Sequence, residues 1–123
     1  METKFEQYRK HWTNRFKEYE LRKEERFVEL SQISYKLAEF LYNEYNVDKV
    51  YLFGSLVNNN TFGLDSDIDL AVQGLPENLL YRVHGLLSSI ALPYKVDLIL
   101  IEECHDYIKD RITKGGKLIA KQR

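Results

Sequence analysis

This 123-residue chain has only two prolines, a single cysteine, no long hydrophobic run and almost no net charge. Each shortage excludes something. One cysteine, Cys104, cannot close an internal disulfide, which points to a reducing, cytoplasmic setting. No apolar stretch approaches the roughly 20 residues a bilayer span needs, and the charged N-terminus does not fit a signal peptide. With 18 basic and 19 acidic residues, the chain carries no electrostatic footprint for nucleic acid. There are no internal repeats or low-complexity segments. What remains reads as one soluble globular domain, 44% hydrophobic and 30% charged, with nine tyrosines and six phenylalanines.

Residues 1–46 contain neither glycine nor proline and are rich in Glu, Lys, Arg and Leu, so they read as helix. Phe5, Tyr8, Trp12, Phe16 and Tyr19 recur at three- and four-residue steps, as do Phe27, Leu30, Ile33, Leu37 and Leu41. The stripe changes phase near Leu21–Arg26, which predicts a break or bend there. Residues 1–26 are accordingly expected to form a helical extension and residues 27–123 the main domain. The aromatic stripe either folds over the core or serves as a surface for a partner or a second copy.

From Lys49 the pattern becomes strand-like. Val50–Phe53 and Asp67–Val72 read as two strands, and a helical stripe runs from Leu79 to Ile90. Lys95–Ile101 has the composition of a central strand covered on its faces. A short helix over Glu102–Thr113 ends at Gly115-Gly116, and Lys117–Ala120 suits an edge strand. The expected fold is α/β (α+β): a small mixed sheet of about four strands, flanking helices and an N-terminal helical extension.

The chemistry concentrates in residues 51–72. Asp67 and Asp69 are two apart within an apolar run, so a strand would turn both carboxylates to one face with Cα atoms roughly 6.5–7 Å apart. Two ionised carboxylates held so close call for a cation, and hard oxygen ligands suit Mg²⁺. The competing reading is an Asp-rich turn, capped by Asp65 and Ser66, with its later carboxylates in water. Asp97, alone in Val96–Leu100, either pairs with a nearby base such as Lys95 or faces Asp67 and Asp69 to complete a two-metal site. In the second case it could accept the proton of an attacking hydroxyl. Gly54-Ser55, at the end of the first strand, allows close backbone approach and offers a hydroxyl to phosphate.

Gly54-Ser55, eleven intervening residues that end in Ser66, then Asp67-Ile68-Asp69-Leu70 and Asp97 together resemble the DNA polymerase β-type nucleotidyltransferase superfamily, most closely its minimal (MNT) group. The likeness covers about Val47–Ile119. It implies that Gly54, Ser55 and Ser66 bind the nucleotide, and that Asp67, Asp69 and Asp97 hold two Mg²⁺ ions. It also implies transfer of a nucleoside monophosphate, AMP from ATP, to an acceptor hydroxyl, with pyrophosphate released. MNT proteins are commonly antitoxins of HEPN-type toxins, which implies a HEPN-like protein partner. Homodimerisation through the N-terminal helix is the other partner expectation.

The sequence departs from the family pattern after Gly54-Ser55. A small residue and an arginine commonly follow there, and Leu56-Val57-Asn58-Asn59-Asn60 stands instead. Lys95 and Arg82 are the candidate replacements. The alternative from another class is a catalytically weak or inactive fold that works as a protein-binding antitoxin or scaffold. Adenylylation of a small molecule is a third reading, disfavoured because the chain has no second domain to build such a pocket.

Overall fold

The computed structural model describes residues 1–58 and 60–121; Asn59, within the segment that replaces the family's arginine, lies outside them with Gln122 and Arg123. A long helix α1 (Lys4–Tyr45) leads into strand β1 (Lys49–Phe53), β2 (Ile68–Gln73), α2 (Leu80–Ala91), β3 (Val96–Leu100), α3 (Asp106–Gly115) and β4 (Lys117–Lys121). Single 3-10 turns at Gly54–Leu56, Glu77–Leu79 and Ile101–Glu103 join them.

The expected break near Leu21–Arg26 is absent. α1 runs unbroken from a capping box at Thr3 and Glu6 to Asn46, whose left-handed φ of 51° ends it. Every residue between is a tolerable helix former, and a shift of apolar phase interrupts a helix only where both phases must pack on one surface. Here they do not. Leu30, Ser34, Leu37, Ala38 and Leu41 are buried on the sheet, while Phe5 through Tyr19 project beyond it. All five stripe aromatics stay exposed, from 40% at Tyr19 to 71% at Phe5, so the chain does not fold over its own stripe.

The sheet is mixed, in the order β3-β2-β1-β4. β1 is antiparallel to both β2 and β4, and β2 is parallel to β3. β3 is therefore an edge strand, not the central one its composition suggested. Three of its four apolar residues, Val96, Leu98 and Leu100, are buried on one face, whereas on the other Asp97 is exposed and Ile99 half-buried.

The two faces of the sheet differ. One carries Val50, Leu52, Ile68, Leu70, Val72, Val96, Leu98 and Leu100, which pack against Leu30, Leu37 and Leu41 of α1 and Val83, Leu87 and Ala91 of α2. The other has a small cluster of Tyr51, Ala71, Ile101 and Ile112, flanked by Phe53 and Ile99. That smaller cluster leaves the rest of its face free for polar residues. His84 is structural: its Nε2–H donates to the Val96 carbonyl at 2.7 Å. Among the described residues no helix is long and apolar enough to cross a membrane.

Candidate active site

Strand alternation does the first part of the work. Ile68, Leu70 and Val72 of β2 point into the large core, so Asp69 between them points to the opposite face. Asp67 lies one residue before β2 rather than inside it, and the Ile68 amide donates to the Lys95 carbonyl at 3.1 Å. The register does the second part. Asp69 pairs with Phe53 of β1 on one side and with Asp97 of β3 on the other. Side-by-side pairing thus brings Asp97 next to Asp69, against the alternative of an isolated Asp97 paired with a base.

Gly54 follows Phe53 directly with φ of +75°, a left-handed value that glycine adopts at little cost. A Cβ there would stand 2.3 Å from Asp69 Oδ2. The glycine is required both by its backbone and by the carboxylate against it. The Ser55 hydroxyl has no protein partner among the described residues. Ser66 is differently employed: its Oγ accepts from the Gly63 amide at 2.9 Å and closes the loop that delivers Asp67.

The electrostatics follow from the crowding. Partial burial, the negative charges of Asp97 and Asp67 and a hydrogen bond with Asp97 push the Asp69 carboxyl up to about 6 from its ordinary 3.8. A cation beside the cluster would act in the opposite direction, by favouring the ionised form. The donor set fits Mg²⁺, which takes one or two carboxylates and fills its shell with water and substrate phosphate oxygens. Among the described residues, no three potential ligands converge closely enough to enclose a metal by themselves. A cation here would share its coordination with the substrate.

Two depressions flank the carboxylates. A groove of about 890 Å³ runs from Gly54 and Ser55 to α3, where Arg111 and Lys114 line it. A smaller hollow of about 490 Å³ contains Asp67 together with Arg26 and Lys95. Of the two replacements expected for the missing arginine, Lys95 borders the site; Arg82 sits on the exposed side of α2 and lines neither depression. Arg26, Arg111 and Lys114 were not anticipated. The only signal for the last two was their helical spacing with Tyr107, one turn apart on the side of α3 that meets the groove.

Comparison with known proteins agrees with this geometry. Residues 35–123 match the family model described as "Polymerase beta, Nucleotidyltransferase". A toxin–antitoxin crystal structure with AMP-PNP is similar at 24% identity and a TM-score of 0.60, over 72% of this chain and 74% of that one. A mutant form of an MntA-HpeT toxin–antitoxin is similar at 25% identity and a TM-score of 0.59, over 72% of each chain. A Shewanella oneidensis complex of a tri-AMPylated HEPN toxin with an MNT antitoxin is similar at 23% identity and a TM-score of 0.58, over 76% of this chain and 73% of that one. No curated protein matches in sequence. Since the family model spans nearly three-quarters of the chain, including every carboxylate of the site, the protein belongs to the polymerase β-type nucleotidyltransferase family.

Proposed function

We propose that this protein is a Mg²⁺-dependent nucleotidyltransferase that moves AMP from ATP to a hydroxyl of a HEPN-type protein partner, as an antitoxin. The observation that carries the reading is the pairing of Asp69 with Asp97 on one side and with the Phe53-Gly54 strand end on the other. Asp67, Asp69 and Asp97 would hold two Mg²⁺ ions, whose chemistry is to neutralise phosphoryl oxygens and activate the acceptor oxygen. Gly54 and Ser55 receive the triphosphate through the backbone and the unpartnered hydroxyl. Arg111, in the same groove, supplies the positive charge missing after Ser55. Asp97, exposed at the sheet edge, takes the proton of the attacking hydroxyl. Ser66 supports Asp67 from behind and touches nucleotide through its hydroxyl hydrogen. Residues 1–26 form an arm outside the residues that match the family, and we assign them to partner capture.

The partner assignment draws on the similar structures, which are toxin–antitoxin complexes. The test is transfer of labelled AMP from ATP to a co-purified HEPN-type chain. Wild type should label it, and Asp97→Ala should still bind it without labelling. If Asp97→Ala silences the toxin as well as wild type does, the transfer reading is wrong. A contact-only antitoxin is the second reading, favoured by the exposed aromatic stripe, and that same outcome would establish it.

A further inference from the structure

The hollow beside Asp67 lies across the carboxylate strand from the Gly54-Ser55 turn. In the order β3-β2-β1, the turn leaves β1, Asp67 and Asp69 belong to β2 and its entry, and Lys95 precedes β3. Arg26 reaches this hollow from α1. Its Nη2 donates to the Ser66 carbonyl at 2.8 Å, and its guanidinium lies 4.9 Å from the centre of the Tyr94 ring. The Tyr94 hydroxyl donates to Glu29 at 2.6 Å, which pins that ring. The guanidinium is held firmly yet poorly satisfied: its Nε is buried with no hydrogen-bond partner. Neither Arg26 nor Lys95 forms an ion pair among the described residues. A half-buried, unpaired guanidinium is costly, and its planar fork suits a carboxylate. Arg26 also precedes the residues that match the family model.

The proposed reaction gives that placement a meaning, and the inference rests on it. Displacement at phosphorus runs roughly in line, so acceptor and leaving group occupy opposite sides of the reacting centre. Pyrophosphate leaves toward Gly54-Ser55 and the groove of α3, and the acceptor must come from the β3 side. We propose that the hollow lined by Arg26, Asp67, Tyr94 and Lys95 is the acceptor site, and that Arg26 and Lys95 select a protein hydroxyl flanked by acidic side chains. In the step itself the acceptor oxygen bonds to the α-phosphorus while the bond from that phosphorus to the α–β bridging oxygen breaks. Pyrophosphate carries away the bonding pair, and the hydroxyl proton passes to Asp97. Asp65 also lines the hollow. The Glu29 carboxylate meets the hollow at Tyr94, so the acidic side chains of a bound peptide compete with Asp65 and Glu29 for the two cations.

Two blocked pentapeptides test this, each with a central tyrosine, one flanked by glutamates and the other by glutamines. Their binding to the full chain at low salt is read by NMR with and without Mg²⁺ and AMP-PNP, and AMP transfer is read with Mg²⁺ and ATP. Wild type should prefer the acidic peptide about tenfold, as expected where charge-assisted contacts replace neutral ones. Arg26→Gln/Lys95→Gln should reduce the preference below twofold by weakening the acidic peptide while the glutamine peptide keeps its affinity. Lys95→Gln alone, at an exposed side chain, should lose about threefold and guards against misfolding of the double variant. Equal binding of the two peptides by wild type would overturn the proposal. So would a preference that survives in the double variant, or an equal loss of both peptides in it. A preference for the acidic peptide without any AMP transfer upholds the site and removes the reaction instead.

Discussion

The two faces of the sheet are made by the same strands and obey opposite rules. On the α1–α2 face every inward residue of β1, β2 and β3 is aliphatic and buried. On the other face the apolar cluster stops at Phe53, Ala71 and Ile99, and Asp69 and Asp97 occupy the next positions toward the site. Alternation along β2 separates them by a single residue, since Ile68 and Leu70 are fully buried on either side of Asp69. Stability and chemistry are therefore divided by face rather than by region. The covered face supplies rigidity, and the open face uses it to hold like charges together.

Substitutions can break that division, and the largest effect should come from the covered face. Leu70→Ala removes a fully buried side chain from the core and should cost about 2–5 kcal/mol, a large share of a typical domain's stability. Chemical denaturation would measure it. Gly54→Ala comes next. The alanine must accept a left-handed φ and displace the Asp69 carboxylate, so nucleotide binding should vanish while stability falls by the ~1–2 kcal/mol of the backbone penalty, read from the thermal midpoint.

Asp69→Asn should act with the opposite sign on stability. The carboxyl ionises near 6 in the folded protein against 3.8 ordinarily, so the folded state holds more protons between these values. Without metal, stability from this group is present below about pH 4 and is lost as pH rises through 6. Allowing for solvent screening of a half-exposed group, the loss is about 1 kcal/mol. Asp69→Asn should remove that pH dependence, raise the metal-free melting midpoint at pH 7 and end nucleotide binding, all readable by calorimetry from about pH 4 to 8. Arg111→Ala, outside both packed clusters, should leave stability within about 0.5 kcal/mol and weaken ATP binding about tenfold. The smallest stability effect belongs to the arm. Trp12→Glu/Phe16→Glu should barely shift the melting midpoint, since both side chains are exposed, yet should abolish partner binding or homodimer formation by light scattering.

Much of the site was legible because it is local in sequence. The two-residue spacing of Asp67 and Asp69, at the entry of β2, and the glycine after an apolar strand are each read from a few consecutive residues. Asp97 was legible as an oddity in an aliphatic strand, although only the parallel register makes it Asp69's neighbour. The position of β3 at the sheet edge was not legible, since an aliphatic run looks the same whether one face or both are covered. The continuity of α1 through residues 21–26 was hidden for a related reason: its phase shift reflects where packing ends, which the local sequence does not encode. Arg26 and Arg111 were invisible among the many charged residues of helical surfaces. Their significance comes from 40 residues of separation between Arg26 and Ser66, and from the packing of α3 beside β1.

Whether these carboxylates bind metal and nucleotide together is tested by calorimetric titration of ATP with Mg²⁺ into the wild-type protein and into Asp67→Asn/Asp69→Asn. Saturable, Mg²⁺-dependent binding by the wild type and none by the variant is expected. Equal binding by both, or none by either with any nucleoside triphosphate, would contradict the claim that these carboxylates form a metal–nucleotide site.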